Sequence, residues 1–540
     1  MLSFENQFYE LGFILGVAAL LGLLGTIFRQ PLIVAFIAVG IIVGPTWLGV
    51  TEESEELELL AEVGIAVLLF VVGLKLDLQV IRTMGRVALI TGLGQVAFTS
   101  AIGFVLAFVL GYDLAASAYI AIALTFSSTI IIVKLLSDKR EIDSLHGRIA
   151  VGFLIVQDIV VVLTMIAISA VGTGEDPDPL REAALVVGKG ALMLAGVAFL
   201  MRYIIPRAVP VLARSQELLV LSAIAWAVGL AVIGDSLGFS KEVGAFLAGV
   251  SLASTPFRES ISGRLTSVRD FLLLFFFVNL GAGLEFKGLG DQVVPAIVLS
   301  LFVLVGNPLV VIAMMGAMGY RRRTGFLAGL AVAQISEFSL IFAALGVSLG
   351  HIDSDTLGLI TLVGVITIGL STYLIIYSHP LYDRFGHLLK PFERSAAHPE
   401  DEAGDLPATT DVILFGLGRY GSAIAAGLRD RGDRVLGIDF DPEAVRHWRE
   451  RGWPVHYGDA EDPELLHSLP LSSARYVVCA APTFDANLAL LRGLHHEGYG
   501  GRIVLTARSE GEANRLQELG THVILRPFQD AAVRAVEELT

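Results

Sequence analysis

The sequence predicts an α-helical polytopic membrane protein with thirteen transmembrane helices, followed by a cytosolic α/β Rossmann-like domain. Composition carries the first half of that prediction. Of 540 residues, 54% are hydrophobic and only 17% are charged, against about 25% charged in soluble proteins. The mean hydropathy of +0.71 excludes a soluble globular chain and a disordered one. Apolar runs of about 20 residues, the length of a membrane helix, recur as far as residue 377. The composition shifts near residue 380, and short β-like runs then alternate with helical ones, as in a parallel α/β domain.

The apolar segments run over 11–28, 32–50, 58–74, 87–110, 114–133, 148–171, 183–205, 216–234, 242–254, 270–286, 292–318, 325–348 and 356–377. The first is flanked by Glu5 and Glu10 rather than by Lys or Arg, so it is not expected to be a cleaved signal peptide. The ninth is short, and Gly244, Gly249 and Ser251 predict close helix packing. Loop charges alternate in sign. One set carries Arg29, then Lys75, Arg82 and Arg86, then Lys134, Lys139, Arg140 and Arg148, and later Arg202, Arg207, Arg214, Arg258, Arg264, Arg269 and Arg321 to Arg323. The other carries Glu52, Glu53, Glu55, Glu56, Asp113, Glu175, Asp176, Asp178, Asp235, Asp353 and Asp355. Basic loops face the cytoplasm. That predicts a cytoplasmic (inner) membrane protein with its N-terminus outside and its C-terminal domain in the cytosol.

An internal repeat is visible. AFIAVGIIVGP (35–45) resembles AFLAGVSLAS (245–254), an offset of 210. FVVGLKLDL (70–78) pairs with FVNLGAGLEF (277–286), and ALTFSSTIII (123–132) with VAQISEFSLI (332–341), at offsets of 207 and 209. The offset spans seven helices, an odd number, so the copies run in opposite directions across the membrane, as in secondary transporters. The polar breaks Thr125-Phe126-Ser127-Ser128-Thr129 and Gln334-Ile335-Ser336-Glu337 are then repeat-related. They predict crossed discontinuous helices whose unwound backbone offers carbonyls and dipole ends to ions.

Asp158 lies mid-way along GFLIVQDIVVVLTMIAI. A carboxylate at this depth is costly unless hydrated or paired, which favours exchange of a proton. It is also a natural ligand for a hard monovalent cation. One residue can then carry either H⁺ or the cation. The plain alternative is a protonated Asp hydrogen-bonded to a neighbouring helix. Gln157 adds a neutral oxygen, and Thr125, Ser127 and Ser128 add hydroxyls; each also has a packing interpretation. Glu337 is a second buried carboxylate, expected with Ser336 to support a half-helix N-terminus; the alternative is a second protonatable site. Asn279 and Asn307 read as helix–helix bonds.

After the apolar run 411–415 comes Gly416-Leu417-Gly418-Arg419-Tyr420-Gly421, the G-x-G-x-x-G pattern between strand and helix. Asp439 ends the next strand, placed for ribose hydroxyls, and Gly458-Asp459-Ala460 follows a short third strand. The helix N-terminus faces the phosphate, and Arg419 and Tyr420 lie beside it. Domains are expected at 1–380 (transmembrane), 381–410 (linker) and 411–540 (Rossmann-like), the last long enough for one lobe. The net charge of −15 argues against nucleic acid as a partner; membrane lipid is the expected surrounding. The single Cys479 excludes an internal disulfide and a Cys-based metal cluster. No catalytic base or paired membrane His supports a redox enzyme.

On Gln157-Asp158, TFSST (125–129), FVVGLKLDL (70–78), ISEF (335–338) and the domain order, the chain resembles the monovalent cation:proton antiporter-2 family, especially its Kef-type members. The resemblance covers the whole chain. It implies a homodimer with a mobile core, a secondary transporter rather than an enzyme, and Asp158 as the residue that binds K⁺ (or Na⁺) and H⁺. The Gln-Asp pair is similar to the potassium-type version. The tenth segment carries no Lys or Arg over 271–284, which departs from electrogenic sodium-type members. The C-terminal domain resembles the nucleotide-binding lobe of regulators of potassium conductance, which implies NAD(H), AMP or another adenine nucleotide as a regulatory ligand. The expectation is a K⁺/H⁺ antiporter. The alternatives are a Na⁺/H⁺ antiporter or a ligand-gated K⁺ efflux channel, although no TVGYG-like filter is present.

Overall fold

A computed structural model describes residues 7–45, 47–49, 55–75, 85–139, 141–142, 144–171, 179–284, 289–392, 407, 409–460, 463–481 and 483–539. Glu52, Glu53, Arg82, Arg140, Glu175, Asp176 and Asp178 of the loop pattern lie outside the described residues. So do the last residues of the paired stretches 70–78 and 277–286. The chain divides into two compact units. The first comprises Met1–Arg140, Ile149–Met315 and Gly325–Leu389, and the second Glu141–Arg148, Gly316–Thr324 and Lys390–Thr540.

Each of the thirteen apolar segments carries helix. Among the described residues, nine helices are individually long and apolar enough to cross a bilayer, and Leu32–Val43, Leu114–Ala123 and Glu337–Ser348 are shorter apolar helices. Acidic loop residues work as caps: Asp113 accepts the Ala116 N–H at 2.6 Å and Asp353 the Thr356 N–H at 2.8 Å. The Thr356 hydroxyl, with its N–H, holds the Asp353 carboxyl below its usual range.

Two of the segments are interrupted. Leu114–Ala123 stops, Leu124 to Ser128 run as turn and irregular chain, and Thr129–Lys139 resumes. In the second, Arg322–Leu330 stops and Glu337–Ser348 resumes after residues 331–336. The two breaks sit one repeat offset apart. The N-terminal half of the first packs on the C-terminal half of the second, where Tyr119 stacks on Phe342 at 4.8 Å between ring centroids.

Glycine packing follows the same symmetry. A methyl group added at Gly40 would strike the Val278 carbonyl, and one at Gly281 the Ile37 carbonyl. In the other pair, Gly249 faces the Phe70 carbonyl and Gly73 the Phe246 carbonyl. Gly40 and Gly249, like Gly73 and Gly281, are repeat-related to within two residues, so the same close helix contact is built twice. Only residues without a side chain allow backbones this near.

In the second unit, β1 (Val412–Phe415), β2 (Val435–Asp439), β3 (Val455–Tyr457), β4 (Tyr476–Cys479), β5 (Arg502–Thr506) and β6 (Val523–Leu525) form one parallel sheet in the order β3-β2-β1-β4-β5-β6. This is the doubly wound dinucleotide-fold order, with its switch point between β1 and β4. The central strands β1 and β2 are buried along their whole length, as helices on either side require, whereas the edge strand β6 is partly exposed. The start of the expected linker is helical, over Ser378–Phe385 and a 3₁₀ stretch Gly386–Phe392.

Candidate functional site

Breaking a helix inside a membrane frees backbone groups that lipid cannot satisfy. At the first break three side-chain amides satisfy them. Asn307 Nδ2 donates to the Leu124 carbonyl at 3.0 Å, and Gln95 Nε2 donates to the Thr125 carbonyl at 3.1 Å. The Ser127 N–H donates to Gln157 Oε1 at 3.0 Å. Gln157 Nε2 in turn donates to Gln95 Oε1 at 2.7 Å. Thr99 Oγ1 accepts from Gln95 and donates to Asn307 Oδ1, both at 3.1 Å. Asn307 directly follows a π-helical turn, Phe302–Gly306, a local widening that re-aims the residues behind it. Asn307 is thus a helix–helix bond, while Asn279 lies on an exposed helix face.

The predicted ion residues converge here. Thr129 Oγ1 donates to Asp158 Oδ2 at 2.9 Å. Asp158 is half-buried by protein, whereas Gln157 beside it is fully buried. Thr125 bonds back to the Ala121 carbonyl at 2.8 Å and meets Ser100 Oγ at 2.9 Å. Ser128 Oγ accepts the Ile131 N–H at 3.4 Å, capping the second half-helix. Ser127 is fully buried, and its hydroxyl has no hydrogen-bond partner among the described residues.

The second break is built differently. Ser336 caps Glu337–Ser348, accepting the Phe338 N–H at 3.2 Å, and Ser339 closes a capping box. Glu337 is the first residue of that half-helix, where its charge meets the positive dipole end. It is 1% exposed, and its Oε1 has no hydrogen-bond partner among the described residues. Thr367 accepts the Ile335 N–H at 3.3 Å, and Ser371 donates to Gln334 Oε1 at 2.7 Å.

Gln95 and Thr99 escaped the sequence reading. A signal was available: Thr91, Gln95 and Thr99 recur every four residues in an apolar helix, Gly85–Val109, and all three are fully buried. That stripe marks one polar face turned toward protein.

In the second unit, Gly416 closes the turn after β1 with φ +89°, a conformation that favours glycine. A side chain on Gly421 would strike the Gly416 carbonyl, while Gly418, the N-cap of helix Arg419–Asp430, has open space where a Cβ would stand. The helix N-terminus is therefore accessible to a phosphate. Arg419 is exposed and Tyr420 half-buried beside it. Asp439 is nearly buried at the end of β2 and accepts the N–H groups of Leu417 and, at 2.8 Å, Asp441. Burial pushes its carboxyl above the usual range. It thus ties the glycine turn to β2, and a carboxylate retains lone pairs for ribose hydroxyls. Also within this unit, Arg323 pairs with Asp459 at 2.7 Å and Arg148 with Asp441 at 3.0 Å. Ala460 packs at the edge of the apolar core.

The model of the family described as "Sodium/hydrogen exchanger, transmembrane" matches residues 15–376, and the TrkA-N domain model matches 412–527. Glutathione-regulated potassium-efflux system protein KefC of Escherichia coli (strain K12) is 25% identical, covering 96% of this chain and 83% of that protein. Iron transporter MagA of Paramagnetospirillum magneticum is 30% identical, covering 66% and 82%. The sodium proton antiporter MjNhaP1 from Methanocaldococcus jannaschii is a structural neighbour at 18% identity, 68% and 99% coverage and a TM-score of 0.47. With two thirds of its length matched by the exchanger model, the chain belongs to the transmembrane sodium/hydrogen exchanger family, a family of ion transporters, and carries a nucleotide-binding TrkA-N domain behind its membrane region.

Proposed function

We propose that this protein is a K⁺/H⁺ antiporter in which Asp158 carries either the cation or a proton and alternates between the two sides of the membrane. The observation that carries this is the placement of Asp158: a half-buried carboxylate within a membrane-length helix, held by Thr129 at the break of a discontinuous helix. Thr125, Ser127, Ser128 and Gln157 surround the same break, with Glu337 and Ser336 at the second. The potassium-efflux name of KefC favours K⁺; the sodium in the family description keeps Na⁺ as the second reading.

Cation and proton compete for one carboxylate, so inward movement of one is tied to outward movement of the other. NAD(H), AMP or another adenine nucleotide at Gly416, Gly418, Arg419, Tyr420, Gly421, Asp439, Asp459 and Ala460 biases that cycle. It does so only by as much as it distinguishes the two states. Support comes from the make-up of the second unit. It includes Glu141–Arg148 and Gly316–Thr324, which lead into the helix of Asp158 and the second broken helix. A homodimer in a cytoplasmic membrane, N-terminus outside and TrkA-N domain in the cytosol, completes the reading.

The test is proton flux in sealed proteoliposomes with a lumenal pH dye, challenged by K⁺ or Na⁺ pulses, for wild type and Asp158→Asn. K⁺-driven proton movement that vanishes in Asp158→Asn is expected. An unchanged response in the variant removes Asp158 from the mechanism, and ion current without coupled proton flux makes the protein a channel.

A further inference from the structure

We infer that Gln95 is a positioning residue for the cation site, acting through a two-glutamine relay that spans the break of the first discontinuous helix. The inference rests on the proposed role of Asp158.

The Thr125 carbonyl and the Ser127 N–H are two residues apart and belong to chain that has left the helix. A relay of two side-chain amides joins them. The Thr125 carbonyl accepts from Gln95 Nε2, Gln95 Oε1 accepts from Gln157 Nε2, and Gln157 Oε1 accepts from the Ser127 N–H. The bonds measure 3.1, 2.7 and 3.0 Å. Both ends are main-chain groups of fixed polarity, a carbonyl that only accepts and an N–H that only donates. The relay therefore has one direction, and neither amide can flip without breaking two bonds. The second N–H of Gln95 goes to Thr99, which bonds Asn307, which in turn holds the Leu124 carbonyl. Gln95 is the hub: one side chain supports Thr125 directly, Ser127 through Gln157, and Leu124 through Thr99 and Asn307. All four of these side chains are fully buried, so water does not replace a lost partner.

The relay assigns Gln157 a role other than donating its oxygen to the cation. That oxygen is engaged by Ser127. What the relay presents instead is the geometry of the residues it brackets: the Ser127 hydroxyl, which has no hydrogen-bond partner among the described residues, and Thr129, which holds Asp158. Without Gln95, the Thr125 carbonyl loses a donor, Gln157 is free to turn, and Leu124 to Thr129 relax. The cation site loosens while the proton-binding carboxylate stays.

The experiment is K⁺-driven proton flux in proteoliposomes with Gln95→Leu, Gln157→Leu and the double variant, with size-exclusion profiles to certify folding and Asp158→Asn as the reference. Each single variant should raise the KM for K⁺ about tenfold, the equivalent of one buried hydrogen bond, with a much smaller change in kcat. The double variant should cost no more than Gln95→Leu alone, because Gln157 acts only through the relay that Gln95→Leu already breaks. Gln95→Glu supplies an independent reading. A protonated Glu accepts through its carbonyl and donates through its one hydroxyl to the Thr125 carbonyl, so it rebuilds the relay but not the bond to Thr99; an ionised Glu has no donor. Its rate relative to wild type should be highest at acid pH and fall as pH rises. A wild-type KM in folded Gln95→Leu overturns the inference, as do additive effects, which would make Gln157 a direct ligand. If Gln95→Leu does not fold, a Gln95→Glu ratio that is flat with pH overturns it and a falling ratio supports it. Persistent exchange in Asp158→Asn defeats the proposed function instead, and is read in a different variant.

Discussion

Thr129→Val tests the centre of the mechanism with little steric disturbance, since valine fills the space of threonine without its donor. The threonine hydroxyl donates to Asp158 Oδ2 at 2.9 Å. A hydrogen bond to a charged group contributes about 1.5–3 kcal/mol. This one is strong only while Asp158 is ionised, that is, in the empty and cation-loaded states. Its loss leaves the protonated state nearly untouched and tips the competition toward H⁺ by about 10- to 150-fold. The apparent KM for K⁺ should therefore rise by that factor at acid pH, where protons compete. It should return toward wild type at alkaline pH, where they do not. Thr129→Ser keeps the donor and should behave as wild type. The assay is initial proton flux against K⁺ concentration across a series of pH values in proteoliposomes. An equal rise at every pH would mean that Thr129 ligates the cation itself. An unchanged KM at every pH, with Asp158→Asn inactive, would refute the argument that this bond sets the competition.

Gly249→Leu should prevent recovery of a monodisperse protein, because the side chain would meet the Phe70 carbonyl across a helix contact that has no room to open; size-exclusion profiles report it. Glu337→Gln should lower the thermal midpoint, by an amount equivalent to up to about 2 kcal/mol of lost dipole interaction, and leave the KM for K⁺ within a factor of about two, less than one hydrogen bond would move it. Asp439→Ala leaves the Leu417 N–H in the glycine turn and the Asp441 N–H after β2 unpaired, at about 1–3 kcal/mol each, so adenine nucleotide should bind at least tenfold more weakly by calorimetry on the full-length protein. Arg323→Gln removes the ion pair with Asp459; basal exchange should persist while the ratio of rates with and without nucleotide moves toward one.

The sequence by itself determined the class of the protein and singled out Asp158 as the carboxylate on which the proposed mechanism turns. Both are one-dimensional signals. Hydrophobic run length is a local property, and an isolated Asp in an apolar helix stands out without any partner. The repeat offset predicted two related breaks, and the chain does leave the helix at residues 124–128 and 331–336. The glycine pattern before Asp439 likewise announced the nucleotide fold, since turn geometry and strand spacing are encoded in neighbouring residues. What the sequence left open depends on which helices touch. Gln95 and Gln157 are 62 positions apart, and Thr99 and Asn307 208 apart. Nothing in the local pattern says that they meet. Nor did it say which partner each amide of the Gln-Asp pair would find: Gln157 reads as an oxygen for the ion, whereas in the folded chain its oxygen holds the Ser127 N–H. The pairing of Asp459 with Arg323, 136 positions away, was equally invisible. Periodicity shows which face of a helix is polar; only packing decides what that face is bonded to, because hydrogen bonds in a membrane interior are satisfied by whichever helix the fold brings alongside.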